Sequence, residues 1–257
     1  MKLLTVWPIN WCNFRCYYCP AKYGLEETGF QYPNEDAVSR NRNGLLFPWL
    51  DKFCNPDEWL IEITGGEPGM YPEIDSLMLG LQERGYHGII ATNGSFPILR
   101  VPNFKKVGAW HKDKKFPRDC DYVIIIKNPQ DDWQSKVRYC KEQEIPFRTN
   151  NFALFYTQAQ DESIPHNTYG DGFGYGPLVT EVCWINAWGQ ISECCKSATN
   201  PLVAIRNLSP PVVKGPCNSC VNAMNIERFI HPQILEKMKK DKEEHLKCFG
   251  INRSEGC

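Results

Sequence analysis

Three cysteines near the amino terminus, Cys12, Cys16 and Cys19, stand in the run Asn10 to Pro20 (NWCNFRCYYCP) with C-x3-C-x2-C spacing. Three thiolates in so short a loop can hold three irons of a cubane and leave the fourth open to an outside ligand. An open position is what separates catalytic from structural metal sites. A tetrahedral zinc would want a fourth ligand close by, and the next cysteine is Cys54. Zinc, or plain core thiols, are the alternative readings of the same three residues.

Two further segments carry chemistry-bearing types at turns. Thr64-Gly65-Gly66-Glu67-Pro68 follows an alternating run, and its glycines would let the backbone approach a ligand closely. Thr92-Asn93-Gly94 ends a short apolar run at a turn pair. Lys127 and Arg148 are basic residues on later strand candidates, suited to pairing with a carboxylate.

Taken together, the cysteine spacing, the aromatic Tyr18 before the last cysteine and the Gly-Gly-Glu-Pro run resemble the radical S-adenosylmethionine superfamily. The resemblance covers roughly residues 1 to 155 and implies a partial (β/α)6 TIM-like barrel. It implies a [4Fe-4S] cluster on Cys12, Cys16 and Cys19, whose open iron is chelated by the amino and carboxylate groups of S-adenosylmethionine. Reductive cleavage would then yield a 5′-deoxyadenosyl radical that abstracts hydrogen from substrate. The cofactor-binding residues so implied are Tyr18, Gly65, Gly66, Glu67, Pro68 and Asn93, with Lys127 and Arg148 as partners for the cofactor carboxylate. One departure stands out: no serine ends the fourth expected strand, where many relatives contact the ribose or carboxylate.

The last part of the chain differs in composition. Seven of the thirteen cysteines fall between Cys183 and Cys257. Cys183 to Cys194 (CWINAWGQISEC) alternates as a hairpin turning at Gly189 would, and Cys217-Asn-Ser-Cys220 follows. Four thiolates from a hairpin and a C-x2-C loop would enclose a full cluster or a zinc. The arrangement resembles a twitch-type extension, the half-size form of the SPASM domain. It implies one auxiliary [4Fe-4S] cluster on Cys183, Cys194, Cys217 and Cys220, with Cys195 able to replace Cys194. The stretch from Cys183 to Gly189 is short for that pattern, and the further cysteine of a full SPASM domain is absent, with Ile226 near its place. Cys54, Cys120 and Cys140 read as core thiols. The five histidines show no metal-ligand spacing. No catalytic hydrogen donor can be selected.

These residues need strands to hold them. Lys2 to Ile9, Glu58 to Thr64, Gly88 to Thr92, Asp121 to Lys127 and Pro146 to Leu154 read as strands, with Leu178 to Val182 as a sixth. Tyr71 to Arg84 and Asp131 to Gln143 read as helices, the second capped by Asp131, and a last helix covers Pro232 to Phe249. Strand–helix alternation predicts a parallel α/β sheet with its chemistry at the C-terminal strand ends. The expected division is a barrel over 1–180 and a cysteine-rich extension over 181–257.

Composition sets the outer bounds. The chain has 257 residues, 42% hydrophobic and 23% charged, with a net charge of -1, so no nucleic-acid or anionic-membrane partner is indicated. No apolar run is long enough for a membrane helix and no export signal is evident, so a reducing, cytoplasmic setting is expected. The expected partners are a small-molecule or peptide substrate and an electron donor such as flavodoxin or ferredoxin. The competing functional readings are a zinc-binding cysteine-knuckle interaction protein and an enzyme that splits the cofactor's other C–S bonds for group transfer. Trp7, Trp11, Trp49, Trp184 and Trp188 are candidates to keep water from a radical pocket.

Overall fold

The computed structural model describes residues 1–9, 12–14, 43–110, 115–117, 119–127, 131–151, 181–185 and 191–192, with six residues between 233 and 240. Eight strands make one sheet: β1 (Lys2–Val6), β2 (Trp59–Ile63), β3 (His87–Thr92), β4 (Phe104–Trp110), β5 (Tyr122–Lys127), β6 (Phe147–Asn151), β7 (Glu181–Ile185) and β8 (Ile191–Ser192). Their order is β6-β5-β4-β3-β2-β1-β7-β8. Every pairing is parallel except β7 with β8, which form the expected hairpin. Gly189, its expected turn residue, lies outside the described residues.

From β1 to β6 each strand lies beside the one before it. The helices α1 (Asn43–Phe53), α2 (Ile74–Glu83) and α3 (Trp133–Glu142) all pack on the same face of the sheet. Sequential order with helices on one side is singly wound topology, that of a barrel wall, as opposed to the reversed order of a doubly wound sheet. The chain is therefore an α/β protein with the partial (β/α)6 wall expected of it.

Strand alternation sorts the side chains between the two faces. Leu4, Val6, Ile61, Ile63, Ile90, Cys183 and Ile185 face the helices and form the core with Leu46, Trp49, Leu50, Leu77, Met78 and Leu81. Val123 and Ile125 continue that layer onto Cys140 of α3. The opposite face carries Leu3, Thr5, Leu60, Glu62, Ile89, Val107, Ile124, Arg148 and Trp184 in register.

The structure departs from expectation at four points. The strand β4 was not foreseen, and with it the six barrel strands are complete by Asn151. The expected sixth strand, Leu178 to Val182, overlaps β7, which instead joins the sheet on the β1 side. The helix α1 was also not foreseen, because Pro48 lies inside it. A proline there removes the bond to the Gly44 carbonyl, but Gly44 and Pro48 are both exposed, so water can serve that carbonyl. The cap of α3 is Asp132, whose carboxylate accepts the Ser135 N–H at 3.1 Å. Asp131 instead forms a buried ion pair with Lys136 at 2.6 Å. Only part of the expected C-terminal helix is described, and those residues are helical.

Candidate functional site

Three neighbouring strands deliver the motif segments to one edge. The order β3-β2-β1 sets the exits of the Cys12 loop, the Gly-Gly-Glu-Pro run and Asn93 side by side at the C-terminal end of the sheet. Backbone bonds join the first two: Thr64 N–H donates to Val6 O at 3.0 Å, and Gly66 N–H to Ile9 O at 2.9 Å. Gly65 between them has φ of +116°, a conformation L side chains rarely adopt. A Cβ on Gly65 would stand 2.8 Å from Ile9 O and 3.0 Å from Trp7 Cβ and Cγ. The glycine is thus required twice, by its dihedral and by the close passage of the Cys12 loop. Gly65→Ala is expected to cost on the order of 2–4 kcal/mol from strain and displacement together. It should also weaken iron retention, read by thermal unfolding and by iron content after anaerobic reconstitution.

Glu67 ties the second segment to the third. Its carboxylate is 1% exposed, which by itself would be costly. Three donors meet it: Thr92 Oγ1–H at 2.6 Å and Gly69 N–H at 2.9 Å on Oε1, and Asn93 N–H at 2.7 Å on Oε2. Burial pushes the carboxyl above its ordinary range, while the bonds from Thr92, Asn93 and Gly69 pull the other way. The same Glu67 caps the short 3-10 turn Pro68–Met70, so Pro68 is held as its first residue.

Asn93 then reaches the cysteine loop. Its Nδ2 donates to Asn13 Oδ1 at 2.9 Å and lies 3.6 Å from Cys12 Sγ. Phe14 N–H donates to the same sulfur at 3.3 Å. The thiol form of Cys12 would in turn reach Asn13 Oδ1 at 3.9 Å. Two N–H donors aimed at one sulfur suit a thiolate, the form in which cysteine binds metal, so Cys12 fits an iron–sulfur ligand. Cys16, Cys19 and Tyr18 lie outside the described residues.

Of the expected basic residues, Arg148 shares with Thr5 and Glu62 the face opposite the described helices. Lys127 does not: it follows Val123 and Ile125 onto the helix side, where its Nζ lies 5.3 Å from the centre of the Trp133 ring. The register of β5 against β6, which pairs Arg148 with Ile124 and Lys127 with Asn151, puts the two on opposite faces. Two polar residues on the face opposite the described helices had no sequence signal. Glu62 is buried on β2 and accepts from Thr5 Oγ1 at 3.1 Å. Trp7 and Trp184 meet edge to face at 5.2 Å, and the backbone N–H of Trp7 donates to Ile185 O at 2.8 Å. Trp49 is a core residue of α1. Thr92, from the expected Thr92-Asn93-Gly94 turn, and Asn13, which had no signal of its own, complete the junction.

Comparison with solved structures reports on this architecture. SuiB of Streptococcus suis, solved with S-adenosylmethionine bound, superposes with a TM-score of 0.51 at 15% identity, over 78% of this chain and 62% of that one. The chain shares the fold of SuiB. Two other SuiB structures match less closely: one with TM-score 0.43 at 13% identity over 79% and 62% of the chains, and one bound to the precursor peptide SuiA with 0.42 at 12% over 91% and 65%. The alignment to the first spans about 62% of SuiB's length. No family model matches the sequence. No curated protein matches it either.

Within this SuiB-like sheet Cys54, Cys183 and Cys140 lie in the helix-side core, and Cys120 lies beside Gly108. Cys54 and Cys183 belong to the helix-side core, at 5% and 0% exposure. Burial pushes Cys54 up to about 12 and raises Cys183 as well, the neighbouring Cys54 adding to it. Cys140 is buried under α3, and burial lifts Cys120 to about 12. Cys54 and Cys140 are buried core thiols, as expected, while Cys120 is only partly buried. The expected auxiliary ligand Cys183 is placed among the buried thiols, while Cys194, Cys217 and Cys220 lie outside the described residues. Among the described residues no three His, Cys, Asp or Glu side chains gather as a metal-binding group, and no helix is long and apolar enough to cross a membrane.

Proposed function

We propose that this protein is a radical S-adenosylmethionine enzyme acting on a small molecule or a peptide. The observation that carries the reading is the Cys12–Asn93–Glu67 junction, which binds the three motif segments into one hydrogen-bonded unit at the C-terminal edge of the sheet. That edge is where barrel enzymes hold their chemistry. SuiB, which has this fold, was solved with S-adenosylmethionine; fold likeness adds weight to the reading without deciding it.

When bound, a [4Fe-4S] cluster supplies the electron and S-adenosylmethionine the 5′-deoxyadenosyl group that takes hydrogen from substrate. Cys12, with Cys16 and Cys19, would hold the cluster. Gly65 and Gly66 keep the backbone clear of the cofactor's methionine end, and Glu67 with Pro68 fixes that backbone in place. Arg148 is the better placed of the two basic candidates to meet a carboxylate, since Lys127 is turned toward α3. Trp7 and Trp184, packed edge to face on the sheet face opposite the described helices, would keep water from the space beside the Cys12 loop.

The auxiliary [4Fe-4S] cluster on Cys183, Cys194, Cys217 and Cys220 belongs to the same proposal, as does the division into a barrel over 1–180 and an extension over 181–257. The first strand of that extension, β7, is shared with the barrel sheet. A flavodoxin or ferredoxin would supply electrons. Cys217→Ala is expected to leave cofactor cleavage intact while substrate turnover drops at least about 10-fold; turnover at the parental rate would remove the auxiliary centre from the mechanism.

The deciding experiment is anaerobic reconstitution with iron and sulfide, followed by reduction in the presence of S-adenosylmethionine. A brown protein with about eight iron atoms per chain, two cubanes, that releases 5′-deoxyadenosine supports the proposal. A colourless zinc protein overturns it in favour of a cysteine-knuckle interaction module. A product from another C–S bond overturns it in favour of group transfer.

A further inference from the structure

We propose that Asn93 sets the reduction potential of the centre at Cys12 by donating a side-chain N–H to the Cys12 sulfur. The inference rests on the radical S-adenosylmethionine reading and adds a role to a residue so far regarded as a cofactor contact. Its basis is the orientation of one amide. Oxygen and nitrogen of an asparagine are distinguished by their partners. Asn93 Oδ1 accepts from Ser95 N–H at 2.9 Å, and a backbone N–H can only donate. The NH2 group therefore faces the cysteine loop. It has two hydrogens: one serves Asn13 Oδ1 at 2.9 Å, and the sulfur of Cys12 lies 3.6 Å away for the other.

The residue cannot swing aside. Its own N–H is held by Glu67 Oε2 at 2.7 Å, its Oδ1 by Ser95, and it is 8% exposed. Asn93 thus behaves as a rigid donor mounted on β3, while the cysteine it addresses belongs to the loop after β1. The Phe14 N–H, at 3.3 Å from the same sulfur, is local to that loop and is present whatever occupies position 93.

Reduction adds negative charge to an iron–sulfur centre and to its thiolate ligands. An N–H donor to a ligand sulfur stabilises the reduced form more than the oxidised one, and so raises the potential. The donor removed, the centre becomes harder to reduce. Asn93 is in these terms a positioning residue that acts through Cys12.

The test is potentiometry of the full-length, anaerobically reconstituted protein. The N-terminal centre is identified as the electron paramagnetic resonance signal missing from Cys12→Ala protein. Asn93→Ala removes the donor. Asn93→Asp keeps an acceptor for Ser95 N–H, and with it the turn, but sets an oxygen against the sulfur. Both variants are expected to hold iron and to shift the midpoint to more negative potential, Asn93→Asp further than Asn93→Ala. Midpoints equal to the parent's overturn the inference, as does loss of iron with an unmoved potential in the fraction that remains, the result of a purely structural role. A parent protein that binds no iron overturns the enzymatic reading itself, and this inference with it.

Discussion

Cys12→Ala protein is expected to fold, to lose the N-terminal centre and to release no 5′-deoxyadenosine above background. Three thiolates are the fewest that hold a cubane with one iron open; two leave a second iron without a protein ligand. Loss of outer-shell partners of metal ligands costs about 10–100-fold, so loss of a ligand should exceed roughly 100-fold in cofactor cleavage. Folding should survive because Cys12 is only partly buried and belongs to none of the described core clusters. Cys54→Ala is the matched control. That thiol is buried in the helix-side core with its pKa lifted to about 12, so its loss should lower the melting temperature and spare the iron. Iron and sulfide content with product chromatography read both variants. Cofactor cleavage by Cys12→Ala at the parental rate would remove the three-cysteine loop from the chemistry.

What the sequence made legible follows the range of the interactions involved. The strands β1, β2, β3, β5 and β6 and the helices α2 and α3 show their periods locally, so their apolar faces could be counted. The strand β4 could not, because Lys105 and Lys106 interrupt its pattern. Lys106 is nevertheless buried: its ammonium donates to Ile98 O at 2.9 Å and to Asp119 at 2.6 Å, partners supplied by loops beyond the strand. A buried charge that is paired from a distance reads in sequence as a surface charge. Pro48 hid α1 in the same way, since its tolerance depends on solvent at Gly44. The motif residues Cys12, Gly65, Glu67 and Asn93 were each visible, but the bond from Asn93 to Glu67 spans 26 positions and that to Cys12 spans 81. Spacing singled these residues out; only the strand order β3-β2-β1 tells that their segments meet in one network. The split between Lys127 and Arg148 needed the register of β5 and β6, which periodicity does not fix.

The junction's energetics lead to the second large effect. Glu67→Ala is expected to destabilise the protein by on the order of 3 kcal/mol, because it strands the Thr92 hydroxyl and the Gly69 and Asn93 N–H groups in a space closed to water. For a chain of this size that is roughly a 10 °C fall in Tm. Glu67→Gln should cost less. Its amide oxygen can still accept from Thr92 and Gly69, and only the NH2 group facing Asn93 N–H is mismatched. The pH dependence separates charge from shape. Burial holds the Glu67 pKa above its ordinary value of 4.5, so the folded protein takes up this proton at a higher pH than the unfolded chain does. Its contribution to stability therefore falls as the pH rises between those two values and is flat above them; in Glu67→Gln that slope is lost. The carboxylate is thus a cost that its three donors make necessary, and removing it while leaving them is worse than keeping it. Cofactor cleavage should fall in both variants, about 10-fold or more in Glu67→Ala, since Asn93 loses the anchor that aims it at Cys12. Unfolding curves of parent and Glu67→Ala that coincide, with equal cleavage rates, would show that this carboxylate does not hold the site together.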